Sequence, residues 1–291
     1  MAVETLARRI PVTRGQLMLL FVALNEAVLA LEILLAHGLN GTIRTDEWIP
    51  IVFGPVAALV LVIAGLISLR QRTAAILLAL LVFIISLFIG LLGAFFHVQR
   101  AIPPVGLVRP SYAIDLFVFA PPVLGPLTFA LVAIVGVIAA VIEDPPDSGR
   151  MVIPGVLSWQ VPFSKTRQYY VWVSLGILAT LISSVLDHGR FNFDNPWTWL
   201  PIIIGVFATV TCLGMGLIEK PSESDLATFV FTMFALIFVG VVGLILHFSA
   251  GLTSGGAVVP ERFLRGAPVL APLLFANMSV FGLLILWPVR E

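Results

Sequence analysis

The sequence predicts an all-α membrane protein with eight transmembrane helices, arranged as two tandem parallel four-helix bundle repeats. Apolar residues fill 59% of its 291 positions and charged residues only 11%, which is less than half the charged share of a soluble domain. Eight apolar segments are each long enough to cross a bilayer, which takes about 20 residues. In addition, one pattern of His, Trp, Pro and Gly residues occurs twice along the chain.

The eight segments are predicted to be helices, because a segment that crosses lipid alone must satisfy its own backbone hydrogen bonds. Prolines near the starts of the fourth and eighth segments predict bent helix starts there. The sequence Ala36-His37-Gly38 fits a signal-peptide cleavage site, but Glu26 and Glu32 within the first segment favour a retained span. The segments cover residues 16–37, 49–69, 74–96, 114–142, 169–187, 199–218, 226–248 and 267–288.

Residues 1–142 are predicted to form the first repeat and residues 169–291 the second. A linker over residues 143–168 joins them and is expected in the cytoplasm or at the membrane interface. The 16 Lys and Arg residues divide ten to six in favour of the side that holds the N-terminus, so both termini are predicted to be cytoplasmic, in the cell (inner) membrane. A net charge of +0 argues against nucleic acid as a partner, and the lone Cys212 excludes a disulfide within one chain.

The repeat depends on residue types that seldom match by chance in apolar sequence. Each copy has an even number of helices, so both copies are predicted to enter the membrane in the same direction. The first and third helices of each copy then run outward, which places the histidines near the outer face. The matched residues are His37, Trp48, Pro50 and Gly54 with His188, Trp199, Pro201 and Gly205; Gly90, Gly93 and His97 with Gly240, Gly243 and His247; and Pro122 and Pro126 with Pro268 and Pro272.

The four histidines of the chain all lie in these repeated positions. Taken alone, a His before a Gly at a helix end is commonly part of a helix cap. As pairs, His37 with His97 and His188 with His247 are predicted to face each other across a bundle and to bind one haem b iron from opposite sides. Copper or zinc is the alternative, with carboxylates completing the site, and a third alternative is that the histidines bind nothing.

Glycines form a stripe below the histidine of each third helix. Spacings of 3 and 4 residues place them on one helix face with that histidine. A stripe without side chains admits either a close neighbouring helix or a flat macrocycle held by the histidine. The glycines are Gly90 and Gly93 in the first copy, and Gly240 and Gly243 in the second.

Glu26 and Glu32 are candidates for a role in the first repeat, because the second has Ile177 and Ser183 in their places. Glu26 precedes His37 by eleven residues, which puts it about 16 Å deeper along the helix. An ionisable group at that depth is a candidate proton carrier, quinone contact or cation ligand. The alternative is a protonated, purely structural Glu26 that bonds to Asn25 or to a neighbouring helix.

Two aspartates are predicted at the level of the histidines. Asp187 directly precedes His188, and Asp115 lies at the start of the fourth segment. Either carboxylate can orient an imidazole by accepting its N–H, or can simply face water.

Eight spans with a pair of histidines at the outer side of each bundle resemble haem A synthase, a family with duplicated four-helix bundles. The family pattern differs in three respects. Its histidines open even-numbered helices, one of them within Glu-x-x-His, and it has loop cysteines. Here the histidines close odd-numbered helices, no Glu-x-x-His occurs and the loop cysteines are missing, so no catalytic residue is transferred. The span number and Pro-rich helix starts also resemble quinone-reactive subunits of the polysulfide-reductase type.

Three functions are compatible with these features. The first is a b-type cytochrome-like electron-transfer subunit of an oxidoreductase complex, in which Glu26 or Glu32 handles protons. The second is a metal-binding or transport protein that combines the histidines with Glu32, Asp115 or Asp187. The third is an accessory subunit of a larger membrane complex. The expected partners are the lipid bilayer, other membrane or extracytoplasmic redox subunits, and quinone.

Overall fold

The computed structural model describes residues 12–38, 41, 43–102, 122–259, 262–263 and 268–289. Six of the helices in these ranges are long and apolar enough to cross a membrane, whereas α4 and α8, with 17 and 13 residues, are shorter apolar helices. The chain is therefore a mostly helical, multi-pass membrane protein. The helices are α1 (Arg14–Gly38), α2 (Trp48–Ile67), α3 (Arg72–Ala101), α4 (Leu124–Ala140), α5 (Lys165–Gly189), α6 (Trp199–Leu217), α7 (Glu223–Gly251) and α8 (Leu273–Ile285).

The last helix is shorter than the predicted segment 267–288. Turns precede it, with the Ala271 N–H donating to the Pro268 carbonyl at 3.3 Å. The helix begins only after Pro272, because a proline has no N–H to donate and fits the first positions of a helix better than its interior. The predicted start of the fourth segment, residue 114, lies outside the described residues.

The eight helices pack as two closed rings of four neighbours. In the first ring, α1 contacts α2, α2 contacts α3, α3 contacts α4, and α4 contacts α1; helices α5 to α8 make the same circuit. Contacts of α4 with α5 and of α8 with α1 join the two rings. Within each ring the helices that carry the histidines, α1 with α3 and α5 with α7, are diagonal neighbours across the interior.

A small antiparallel sheet in the linker departs from the all-α prediction. Its strands are β1 (Ile142–Glu143), β2 (Arg150–Ile153) and β3 (Leu157–Gln160), paired in that order. The turn between β2 and β3 contains Pro154 and Gly155, and the Val156 N–H donates to the Ile153 carbonyl at 3.0 Å. Gly155 has a φ of +71°, which glycine adopts without strain. A Pro-Gly pair at a turn between short alternating segments is the sequence feature that predicts such a hairpin.

Large apolar side chains divide between a packed interior and an apolar outer surface. Phe83, Phe129 and Phe229 are buried at the centres of the rings, whereas Phe88 and Phe231 are 66% and 71% exposed on the outside. Many other large apolar side chains share that outer surface. Exposing so much apolar surface to water is unfavourable, so lipid covers these faces.

Hydrogen bonds tie the first helix to the last, although they lie at opposite ends of the chain. They involve a buried arginine, an amide pair in the middle of the helices and a tryptophan beyond α8. The bonds are Arg14 Nη1 to the Ile285 carbonyl (3.3 Å), Asn277 Nδ2 to Asn25 Oδ1 (2.6 Å) and Trp287 Nε1 to the Val12 carbonyl (3.0 Å).

Cationic side chains bind the last carbonyl groups of two further helices. Lys165 Nζ donates to the Val141 carbonyl (2.7 Å) just past α4. Arg167 donates to the carbonyls of Gly216 and Leu217, both at 2.8 Å, at the end of α6. These carbonyls lack partners within their helix and carry partial negative charge, which favours a cation. The contacts lie at the end of the rings opposite to the histidines, because α5 begins here and carries its histidine near its other end.

Candidate functional site

His37 and His97 meet across the interior of the first ring. His37 is the last residue but one of α1, and His97 lies four residues before the end of α3. The centres of their imidazole rings are 6.1 Å apart, and the ring planes are inclined by 66°. Both side chains are half-buried. The diagonal arrangement of α1 and α3 thus brings together two side chains that are 60 residues apart in sequence.

His188 and His247 form a second pair of nearly the same geometry in the other ring. His188 is the last residue but one of α5, and His247 lies four residues before the end of α7. Their ring centres are 6.4 Å apart with an interplanar angle of 76°. Both are half-buried. All four histidines are therefore paired at the same end of their helices.

The histidine of each third helix is held by a proline carbonyl. Nδ1 of His97 lies 2.9 Å from the Pro122 carbonyl oxygen, and Nδ1 of His247 lies 2.8 Å from that of Pro268. Because a carbonyl oxygen only accepts hydrogen bonds, Nδ1 of each ring must carry the proton. The lone pair of a neutral imidazole is then on Nε2, where it is available to a metal.

The histidines of the first helices have different neighbours in the two rings. Nδ1 of His188 lies 3.4 Å from Ser184 Oγ, and the ring also hydrogen-bonds to the backbone of Thr198. Nδ1 of His37 is buried and has no hydrogen-bond partner among the described residues. The difference follows from the sequence, since Ile33 occupies the position that corresponds to Ser184.

An ion pair lies beside the first pair of histidines, with Arg100 Nη2 3.2 Å from Glu47 Oε1. Burial acts to raise the pKa of the Glu47 carboxyl. The hydrogen bond from the Arg44 N–H, at 2.9 Å, and the electrostatic interactions with His37 and Arg100 outweigh this effect. The pKa of Glu47 therefore lies below its ordinary value, and the carboxylate stays charged at neutral pH.

Glu47 was not singled out by the sequence reasoning. One feature could have identified it. The corresponding position in the second half is Thr198, so Glu47 shows the same kind of asymmetry between the halves as Glu26 and Glu32.

The two aspartates that were predicted at the level of the histidines do not complete a metal site in the described residues. Asp187 pairs with Arg190 on the next turn, at 3.5 Å, and both side chains are about one-third exposed. Asp115 lies outside the described residues. Within the described residues, no group of three or more His, Cys, Asp or Glu side chains is placed to hold a metal ion.

The glycine stripes below His97 and His247 are filled by the neighbouring helix. A Cβ atom on Gly90 would lie 2.6 Å from the Ala130 backbone nitrogen, and one on Gly93 would lie 2.7 Å from Pro126 Cβ. Of the two occupants that the sequence left open, the close helix is present, and it leaves no room for a macrocycle against these glycines. In the described structure these glycines therefore serve helix packing. The equivalent contacts in the second ring are Gly240 with Ala276 and Gly243 with Pro272.

Glu26 lies in the interior of the first ring and is 0% exposed. Its Oε1 accepts a hydrogen bond from Ser86 Oγ at 2.7 Å, while its Oε2 is buried and has no hydrogen-bond partner among the described residues. Asn25, which was the expected alternative partner, donates instead to the Phe21 carbonyl at 2.8 Å. Glu32 is half-buried on another face of α1.

Comparison with protein-family models, with curated proteins and with solved structures finds no match for this chain.

Proposed function

We propose that the chain is an eight-span membrane protein built from two copies of one four-helix unit, with α4 and α8 as the last span of each unit. In support, positions that match in sequence make matching contacts. His97 and His247 each bond to a proline carbonyl, and Gly90 and Gly240 each pack on an alanine. With four helices per unit, both units run in the same direction, both termini are cytoplasmic, and the histidines lie near the outer face.

We further propose that each unit binds one haem b between its two histidines and that the protein is a b-type cytochrome-like electron-transfer subunit. The spacing of the imidazole rings carries this proposal. A metal–nitrogen bond is about 2 Å long and a ring centre lies about 1 Å beyond the nitrogen, so two imidazoles on opposite sides of one metal have centres about 6 Å apart. The spacings of 6.1 and 6.4 Å agree with this value.

The proline carbonyls give a second line of support. By accepting from Nδ1 of His97 and of His247, they fix the ring orientation and leave Nε2 as the ligand atom, as is usual for histidines that bind metals. Two histidines of each unit would hold the haem, and the chemistry it would supply is electron transfer rather than substrate binding. We expect the electrons to be exchanged with other membrane or extracytoplasmic redox subunits, or with quinone.

Visible absorption and metal analysis of the protein in mild detergent test the proposal. The wild type should show a Soret band that changes on reduction and two irons per chain. His97→Ala and His247→Ala should each lose one haem, and the double variant should lose both. Gln99→Ala is the matched control, because Gln99 is exposed at the same helix end, and it should retain both. A wild-type protein without a Soret band and without iron would refute haem binding.

A single copper ion held without a macrocycle is a second candidate for each pair. The observation that favours it is the filled glycine stripe, where a Cβ on Gly93 would already lie 2.7 Å from Pro126. Imidazole suits copper well, whereas zinc would need further ligands. Copper in place of iron, lost in His97→Ala, would support this candidate. A colourless, metal-free protein that co-purifies with other subunits would instead support an accessory role.

A further inference from the structure

A buried polar pair lies directly below the first pair of histidines, on the same two helices. Glu26 precedes His37 by eleven residues on α1, and Ser86 precedes His97 by eleven residues on α3. Eleven residues make about three helical turns and about 16 Å of rise. Each polar residue therefore shares a helix face with its histidine. The hydrogen bond of 2.7 Å between Ser86 and Glu26 joins the same diagonal helices as the histidine pair.

The carboxyl group of Glu26 is only partly satisfied. Its Oε1 accepts from Ser86, whose hydroxyl also lies 3.3 Å from the Phe129 carbonyl oxygen. Its Oε2 is buried, without a hydrogen-bond partner among the described residues. A lone carboxylate in an apolar interior is strongly disfavoured, whereas a neutral acid costs much less. The unpartnered oxygen is thus the atom that would carry the proton of the neutral acid.

The second ring lacks this polar pair. The corresponding positions are Ile177 and Leu236, which again precede His188 and His247 by eleven residues. Both side chains are 0% exposed. The two rings therefore have closely similar histidine pairs, but a carboxyl group lies beneath only one of them.

We propose that the Glu26 carboxyl is a reversible proton-binding site of the first ring, coupled to the charge that is held between His37 and His97. The coupling rests on the proposed function; the proton site itself does not. If a metal were held between these histidines, its reduction by an external one-electron donor would remove one unit of positive charge there, and the Glu26 carboxylate would take up one proton from water. Re-oxidation would return the electron to an external acceptor and the proton to water.

Apart from Glu32, six residues further along α1, the other ionisable groups on the helices around Glu26 lie near the helix ends. α2 and α4 contain no ionisable residue. A unit charge about 16 Å away, at the effective dielectric constant of about 20, should change the proton affinity of Glu26 roughly sixfold. The groups are Arg14, Glu32 and His37 on α1, and Arg72, His97 and Arg100 on α3.

Infrared spectroscopy tests the proton site without any cofactor. A protonated carboxylic acid has its own C=O band, which should weaken as the pH rises and should be absent in Glu26→Gln. Ser86→Ala should shift the band, because the acid loses its hydrogen bond. Ser174→Ala is the matched control, since its buried hydroxyl donates to the Thr209 carbonyl and not to a carboxylate. A spectrum that is unchanged in Glu26→Gln, or a band that does not respond to pH, would overturn the proposal.

A redox titration tests the coupling. In His247→Ala, which should keep only the cofactor of the first ring, the midpoint potential should fall as the pH rises, and Glu26→Gln should abolish this dependence. The converse variant, His97→Ala, should have a potential that is insensitive to Glu26→Gln. A pH dependence that survives Glu26→Gln would overturn the coupling. If neither variant binds haem or metal, the proposed function fails, while the infrared result still decides the proton site.

Discussion

Replacing Gly90 by alanine tests how closely α3 packs on α4. The new Cβ would lie 2.6 Å from the Ala130 nitrogen and 3.0 Å from the Pro126 carbonyl oxygen. Both are backbone atoms, so α4 itself would have to retreat by about 0.8 Å to restore an ordinary contact of 3.4 Å. Overpacking of this kind costs about 1–3 kcal/mol, while the gain in helix propensity offsets up to about 1 kcal/mol of it. We expect a net destabilisation of about 1–2 kcal/mol.

Thermal unfolding in detergent, followed by circular dichroism, measures this effect. The melting temperature of Gly90→Ala should fall by about 2–6 °C. Gly65→Ala is the matched control, because an added Cβ at Gly65 meets nothing within 4 Å and should leave the melting temperature unchanged or slightly raised. If Gly90→Ala were as stable as Gly65→Ala, α3 and α4 would not be in contact along the glycine stripe, and a flat macrocycle could occupy that groove after all.

Two further predictions concern charged side chains at the ends of the helices. Because the pKa of Glu47 is lowered in the folded protein, its carboxylate stabilises the fold at neutral pH, and this contribution is lost as the pH falls below the ordinary value of 4.5. Glu47→Gln should therefore melt lower than the wild type at about pH 7, with a difference that shrinks toward about pH 3; a difference independent of pH would contradict the assignment. Arg167→Ala leaves the carbonyls of Gly216 and Leu217 unpaired at the end of α6 and should destabilise the fold by about 1 kcal/mol. Arg190→Ala removes the partly exposed ion pair with Asp187 and should have a smaller effect, and equal effects would show that the α6 carbonyls bind water instead.

The helices were predictable because each depends on a pattern within one segment. The approach of the histidines to each other was predictable because the same residue pattern occurs in both halves of the chain. A span needs only a run of apolar residues, and the matching sequence patterns predicted each histidine at the same end of its helix. The occupant of the glycine stripe was not predictable in this way. Spacing showed that Gly90 and Gly93 share a face, but only the packed structure shows that Pro126 and Ala130 of α4 reach it.

The partner of Glu26 was also missed, although the sequence contained the necessary feature. Ser86 stands as far before His97 as Glu26 stands before His37, and both are replaced by apolar residues in the second half. A single serine in an apolar helix is common, so it attracts no notice by itself. The linker sheet was missed for a different reason, since its strands are only two to four residues long and alternation over so few positions is hard to distinguish from an irregular loop.

The bonds between the first and the last helix have a consequence for the biogenesis of the protein. The partners of Arg14 and Asn25 lie 271 and 252 residues further along the chain. The serine that donates to Glu26 lies 60 residues further along. During synthesis α1 therefore enters the bilayer long before its polar side chains can be paired. A chain that stops before α8 lacks the donor to Asn25 Oδ1 and the carbonyl that accepts from Arg14, so neither bond can form until the last helix has been made.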